Sequence, residues 1–124
     1  MDRNSEKYIL TEDMKWEDLG GGVSRKMLGY DNQIMMVLVK FEKGALGTPH
    51  SHFHTQATYC VSGKFEFEID GVKQMVSGGD GVYIEPNLLH SAVCHEAGML
   101  IDTFSPVRED FLTGKKPSYF GDQD

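Results

Sequence analysis

Turn signals spaced closely along the chain constrain this sequence more than any other feature. Asp31-Asn32, Glu42-Lys43-Gly44, Asp70-Gly71 and Ser77-Gly78-Gly79-Asp80-Gly81 punctuate it, and breaks of this kind at roughly 8–12-residue intervals are the mark of an all-β sandwich or barrel. The pieces between them suit strands. Val23–Tyr30, Val72–Val76, Val82–Ile84, His90–Cys94 and Met99–Phe104 are short and rich in branched or aromatic residues. Phe65-Glu66-Phe67-Glu68-Ile69 alternates apolar and acidic residues and runs into Asp70-Gly71, a strong hairpin turn. Ile34–Phe41 is a nearly continuous apolar run and predicts a buried strand. Helical periodicity is confined to Val107–Leu112. The fold class expected is all-β.

A chain of 124 residues predicts one domain. Residues 1–22 read as a leader that packs on the barrel or on a partner subunit, residues 23–112 as the barrel, and 113–124 as a tail in which Tyr119 and Phe120 could dock. Within the leader, Trp16–Leu19 predicts a short turn broken by Gly20-Gly21-Gly22, with Trp16 as a lid on one barrel end or part of a subunit contact. The net charge of −7 argues against nucleic acid or an anionic membrane as partner. An anionic ligand would therefore need local positive charge. Two cysteines are too few for a disulfide framework. The first residues lack the apolar core of a signal peptide, and no segment has the length and apolarity of a membrane helix. A cytoplasmic protein with reduced thiols is expected.

The segment Thr48-Pro49-His50-Ser51-His52-Phe53-His54-Thr55-Gln56 places imidazoles and a carboxamide at every second position. Extended backbone turns alternate side chains to one face, so His50, His52, His54 and Gln56 could share a side. Imidazole is the commonest protein metal ligand, and the pattern predicts a divalent metal held inside the barrel. Gly44 precedes His50-Ser51-His52 and Gln56, Gly63 follows them, and Gly79 leads into Glu85-Pro86-Asn87-Leu88-Leu89-His90. Both stretches resemble the paired motifs of the cupin superfamily, which implies a double-stranded β-helix, or jelly-roll-like, barrel. It also implies His50, His52, Gln56 and His90 as metal ligands. Gln56 stands where many cupins have Glu, and Cys94 where the second motif often ends in Asn. Nitrogen and oxygen donors of this kind admit nickel, zinc, manganese, iron or copper. His54 is left between a hydrogen-bond partner of a ligand and a residue at the pocket mouth.

Parity extends the pocket downstream. Thr58 and Cys60 share a face with Gln56, and Ala92 and Cys94 with His90. Both thiols read as small apolar filler. Asp102 and Phe104 share a face on an otherwise apolar strand, where a carboxylate is costly unless paired or near a metal. Arg108 is open between a carboxylate clamp and a surface ion pair with Glu109 or Asp110. His95, beside Glu96, reads as solvent-facing.

Three segments taken together, 16–22, 50–56 and 102–112, resemble the KdgF family of pectin degradation proteins. That resemblance implies a metal-dependent enzyme, an isomerase that converts 4,5-unsaturated monouronates from pectin or alginate into open-chain keto forms. It also implies Asp102, Phe104 and Arg108 as pocket residues with catalytic roles, and a small unsaturated uronate as partner. Cupins commonly pair, and the leader with Ile34–Phe41 could support a homodimer. A metal-dependent dioxygenase and a non-catalytic sugar-binding cupin are the alternatives.

Overall fold

The computed structural model describes residues 3–113. The tail expected beyond Thr113, with its proposed docking of Tyr119 and Phe120, lies outside the described residues. A short 3-10 turn at Thr11–Asp13 precedes eight antiparallel strands: β1 (Glu17–Gly20), β2 (Val23–Tyr30), β3 (Met35–Phe41), β4 (Leu46–His50), β5 (Thr55–Ile69), β6 (Val72–Ser77), β7 (Gly81–Ile84) and β8 (His90–Ser105). One helical turn, α1 (Glu109–Leu112), follows.

Two long strands organise the rest. β5 and β8 pair along their whole length, from Thr55↔Ser105 at one end to Ile69↔His90 at the other. The outer half of β8 carries β3, β2 and β1, while its first half carries β4. β5 likewise carries β7 on its first half and β6 on its second. Each long strand thus belongs to two sheet faces that fold toward one another, the jelly-roll-like barrel expected of a cupin. The register slips between Cys60 and Phe65 mark where the pair bends, as bulges do at barrel corners. Glycine is required there. Gly63 adopts φ +88°, and a Cβ on Gly98 would lie 2.0 Å from the Ser62 carbonyl oxygen. No side chain fits at that separation.

The core fills the space between the faces. Val37, Val39, Cys60, Phe65, Cys94 and Leu100 belong to one buried cluster, in which Phe41 meets Phe65 edge-on at 5.2 Å. Both thiols are buried, and burial raises their pKa, in keeping with inert filler. The Ile34–Phe41 run departs from expectation. Met35, Val37, Val39 and Phe41 are buried, but Ile34 is 49% and Met36 39% exposed. An antiparallel strand in a single layer has one face on the core, and its period is two even when the sequence runs apolar throughout.

The leader also differs from its reading. Glu17–Gly20 is a strand rather than a turn, paired with β2, and Leu19 packs on the core. The glycines after it serve the β1–β2 hairpin, with Gly20, Gly21 and Gly22 at positive φ. Trp16 does not cap a barrel end. Its ring lies under the ammonium groups of Lys26 and Lys40, at 4.5 and 4.2 Å, on the outward side of β2 and β3.

The bend gives a direct test. Gly98→Ala forces the β5–β8 corner apart and should cost about 2 kcal/mol or more in urea unfolding. Gly71→Ala, at an open turn where a Cβ meets nothing within 4 Å, should cost distinctly less. Equal losses would show that the corner is not sterically closed.

Candidate metal centre and pocket

Three imidazoles converge at one end of the barrel. His50 ends β4 and sits opposite His90, the first residue of β8. His52 follows in the loop, where Asn87 N–H donates to its carbonyl at 2.8 Å. Ring centroids are 4.3 Å apart for His50 and His90, and 4.9 Å for His52 and His90. One nitrogen from each ring lies within 4.8 Å of the other two.

Backbone carbonyls select the tautomers. His50 Nδ1–H donates to Thr48 O at 2.7 Å, and His90 Nδ1–H donates to Leu88 O at 2.9 Å. Each Nε2 then carries the lone pair. His90 Nε2 is buried with no hydrogen-bond partner among the described residues, an arrangement that is costly in a metal-free core and natural for a ligand. Burial depresses all these imidazoles. It is the largest effect at His50, lowered to about 4, and at His52, lowered to about 3, with the Arg108 charge adding to it. His90 is lowered for the same reasons. The rings are therefore neutral at pH 7, the form a metal needs.

Gln56 joins this group to the next. Its Oε1 lies 3.1 Å from His52 Nε2, close to the ~3 Å that separates two donors each about 2.1 Å from one ion and at right angles. Its Nε2–H₂ donates to Thr58 Oγ1 at 3.0 Å and to Asp102 Oδ1 at 3.4 Å. Thr58 Oγ1–H donates to the same Asp102 oxygen at 2.7 Å. The amide is thus oriented with its nitrogen toward the carboxylate and its oxygen toward the histidines. A glutamate at position 56 would instead face Asp102 with like charge. Donor set, tautomers and the orphaned His90 nitrogen all fit a divalent ion held by His50, His52, His90 and Gln56.

Asp102 is 3% exposed and Phe104 1%. A pocket reaches His50, Gln56, His90 and Asp102 and is otherwise walled by Phe41, Phe67 and Leu100. Arg108 lies on the segment after β8. It pairs with Asp110 (Nε–Oδ1 3.0 Å, Nη2–Oδ2 2.9 Å), but within the protein, at 3% exposure, and not on the surface. Its guanidinium lies over the rings of Phe104 and Phe111, at 5.0 and 4.5 Å. Its charge adds to the lowering of the pKa of His50, His52, His54 and His90.

His54 is buried rather than at the mouth. It stacks on Phe53 at 3.9 Å and meets His52 edge-on at 5.4 Å. His95 is exposed and contacts Glu66 at 3.1 Å. Sequence reading offered Asp110 as a partner of Arg108 but did not find Phe111 as its neighbour, nor the Thr58 hydroxyl as a donor to Asp102. Parity with Gln56 marked the face of Thr58, but its partner lies 44 residues away and depends on the β5–β8 register.

The chain matches the model of the ChrR cupin-like domain over residues 4–105. It is similar to the pectin degradation protein KdgF of Dickeya dadantii (strain 3937), 44% identical over 108 residues that cover 86% of this chain and 98% of that protein. Among solved structures, it is similar to an RmlC-like cupin from Shewanella frigidimarina NCIMB 400 (TM-score 0.85, 45% identity, covering 87% of this chain and 97% of the other). It is also similar to KdgF from Halomonas sp. (TM-score 0.83, 38% identity, covering 86% and 99%).

The depressed imidazoles predict a pH dependence for the metal-free protein. Unfolded histidine titrates near 6.5. Below that value the unfolded chain binds protons that folded His50 and His52 refuse until about pH 4 and 3. Stability should therefore be full above roughly pH 7 and fall steadily as pH drops through 6.5 toward 4. Urea midpoints of chelator-treated protein between pH 7.5 and 5.5 should show this decline, and His50→Gln combined with His52→Gln should flatten it. A rise in stability on acidification over that range would contradict the geometry.

Proposed function

The chain belongs to the family of the pectin degradation protein KdgF, among the ChrR cupin-like domains, and on that footing we propose that it is a metal-dependent isomerase that opens the ring of 4,5-unsaturated monouronates from pectin or alginate. One observation carries the reading. The Gln56 amide spans from the three-histidine group to Asp102 and so sets an acid–base group beside a place for an electrophile.

The substrate is a cyclic hemiacetal whose C4=C5 double bond is conjugated to a carboxylate. Opening it takes the proton from the anomeric hydroxyl and breaks the bond between C1 and the ring oxygen. The carbonyl forms at C1, and the ring oxygen leaves on C5 as an enolate. Protonation of C4 then gives the ketone. Atoms and electrons balance, and no redox partner is needed. A divalent ion held by His50, His52, His90 and Gln56 supplies Lewis-acid stabilisation of negative charge on oxygen.

The remaining work falls to the chain. Asp102 takes the hydroxyl proton and is placed to return one to carbon. Thr58 and Gln56 donate to its Oδ1 and so fix the plane of the carboxyl group. Arg108 attracts the substrate carboxylate, Phe104 holds the arginine's flat face, and the walls of Phe41, Phe67 and Leu100 exclude water from the sugar. A homodimer belongs to the same proposal, supported by the outward row of Met36, Tyr59 and Tyr83, all exposed. A cytoplasmic setting does too, in keeping with the two free cysteines.

The conjugated double bond absorbs in the ultraviolet, so its loss reports ring opening followed by tautomerisation. Metal-loaded protein should speed the decay of freshly released unsaturated monouronate well beyond the spontaneous rate. Asp102→Asn should lower kcat by roughly 10²–10⁴-fold with metal content unchanged. Decay at the spontaneous rate with loaded wild-type protein would end the proposal, and loss of metal from Asp102→Asn would make that residue structural.

A further inference from the structure

Arg25 lies on β2, two strands from β8 and its pocket residues, and no step above uses it. Yet it is 2% exposed. Its Nε–H donates to Glu17 Oε1 at 2.9 Å, and Nη1 is buried with no hydrogen-bond partner among the described residues. Burying a guanidinium with an unmet donor is unfavourable, and an apolar side chain of similar length would avoid that cost. Something other than stability accounts for this arginine.

Its neighbours supply the reason. The Arg25 guanidinium lies 4.5 Å from the centre of the Phe111 ring, and the Arg108 guanidinium lies 4.5 Å from the same centre. Phe111 in turn meets Phe104 edge-on at 5.5 Å, and Arg108 covers Phe104 as well. Carboxylates hold the edges of both cations: Glu17 from β1 holds Arg25, and Asp110 holds Arg108. A guanidinium offers its edge to carboxylates and its face to rings, so the row Glu17, Arg25, Phe111, Arg108 is continuous from the leader to Phe104, which meets His52 edge-on at 5.7 Å. The segment that carries Arg108 is also held by the buried side chains of Val107 and Phe111, by Val107 N–H to Asn32 O at 3.3 Å and by the ion pair of Glu109 with Arg3. We infer that Arg25 is a positioning residue: through Phe111 it sets the place of Arg108, and with it the affinity for the substrate carboxylate. The carboxylate's identity rests on the uronate reading above.

The test uses full-length, metal-loaded protein and a saturated monouronate, which lacks the C4=C5 bond and cannot react. Arg25→Met should weaken its binding by about tenfold, raise KM for the unsaturated sugar to a similar degree, and leave kcat and metal content nearly unchanged. The urea midpoint should not fall, because the exposed Glu17 returns to water. Arg25→Lys, which keeps a cation over the ring, should recover most of the affinity. In an Arg108→Met background, Arg25→Met should have no further effect, whereas a merely structural role gives additive losses. Unchanged binding by folded Arg25→Met, or additivity with Arg108→Met, overturns the inference. If Arg25→Met does not fold, Phe111→Leu removes the shared ring and should weaken binding in the same way, and unchanged binding there overturns it equally. Should wild-type protein neither bind nor open monouronates, the uronate reading fails by itself. The Arg108 Nε–H resonance then decides the positioning role, since it should move in Arg25→Met and the inference falls if it does not.

Discussion

The orientation of one amide underlies the whole site. Gln56 lies on β5 opposite Phe104 of β8, and Thr58 lies opposite Asp102 two residues on. That register brings the amide nitrogen to the carboxylate and turns the amide oxygen toward His52. A slip by one residue would send Gln56, Thr58, Asp102 and Phe104 to the outer face together. The glycine corner at Gly63 and Gly98 therefore matters to the chemistry as well as to the fold, because it locks the pairing of the two strands that carry these groups. It also gives a physical reason for glutamine at position 56. A carboxylate there would compete with Asp102, whereas the amide donates to it.

Charge is managed locally within an acidic protein. The chain carries a net −7, yet half-buried His50 and His52, kept neutral, and a buried arginine lie at this end of the barrel. Arg108 is the resident cation, and a divalent ion would add to it. Both act where water is scarce and their field is least screened. The long reach of the negative surface is screened by salt, and the short reach of the pocket is not, so an anionic sugar can be drawn in at close range despite the overall charge.

Much of this was legible before any coordinates. Alternation grouped His50, His52, His54 and Gln56 as one strand face, but residues 51–54 bend between β4 and β5, and it is that bend that brings His52 to His50 and His90. The spacing of glycines and His90 brought in the second half of the barrel. Parity put Asp102 beside Phe104. What remained hidden depends on contacts between distant strands. The Thr58–Asp102 hydrogen bond spans 44 residues. Arg25 reads as one more polar residue on a mixed strand until β1 and α1 close over it. Ile34–Phe41 misled because an apolar run does not say how many of its faces are covered. The lid reading of Trp16 failed because lysines on two neighbouring strands decide its place, and the sequence does not show that they meet.

The central claim is that three imidazoles and one amide oxygen from both halves of the barrel grip a single ion. Diffraction from crystals grown with nickel or zinc, collected at the metal's absorption edge, tests it most directly. The account predicts one anomalous peak within about 2.0–2.2 Å of His50, His52 and His90 nitrogens and of Gln56 Oε1. A peak elsewhere, or His90 turned away from the other two rings with no peak between them, would contradict it.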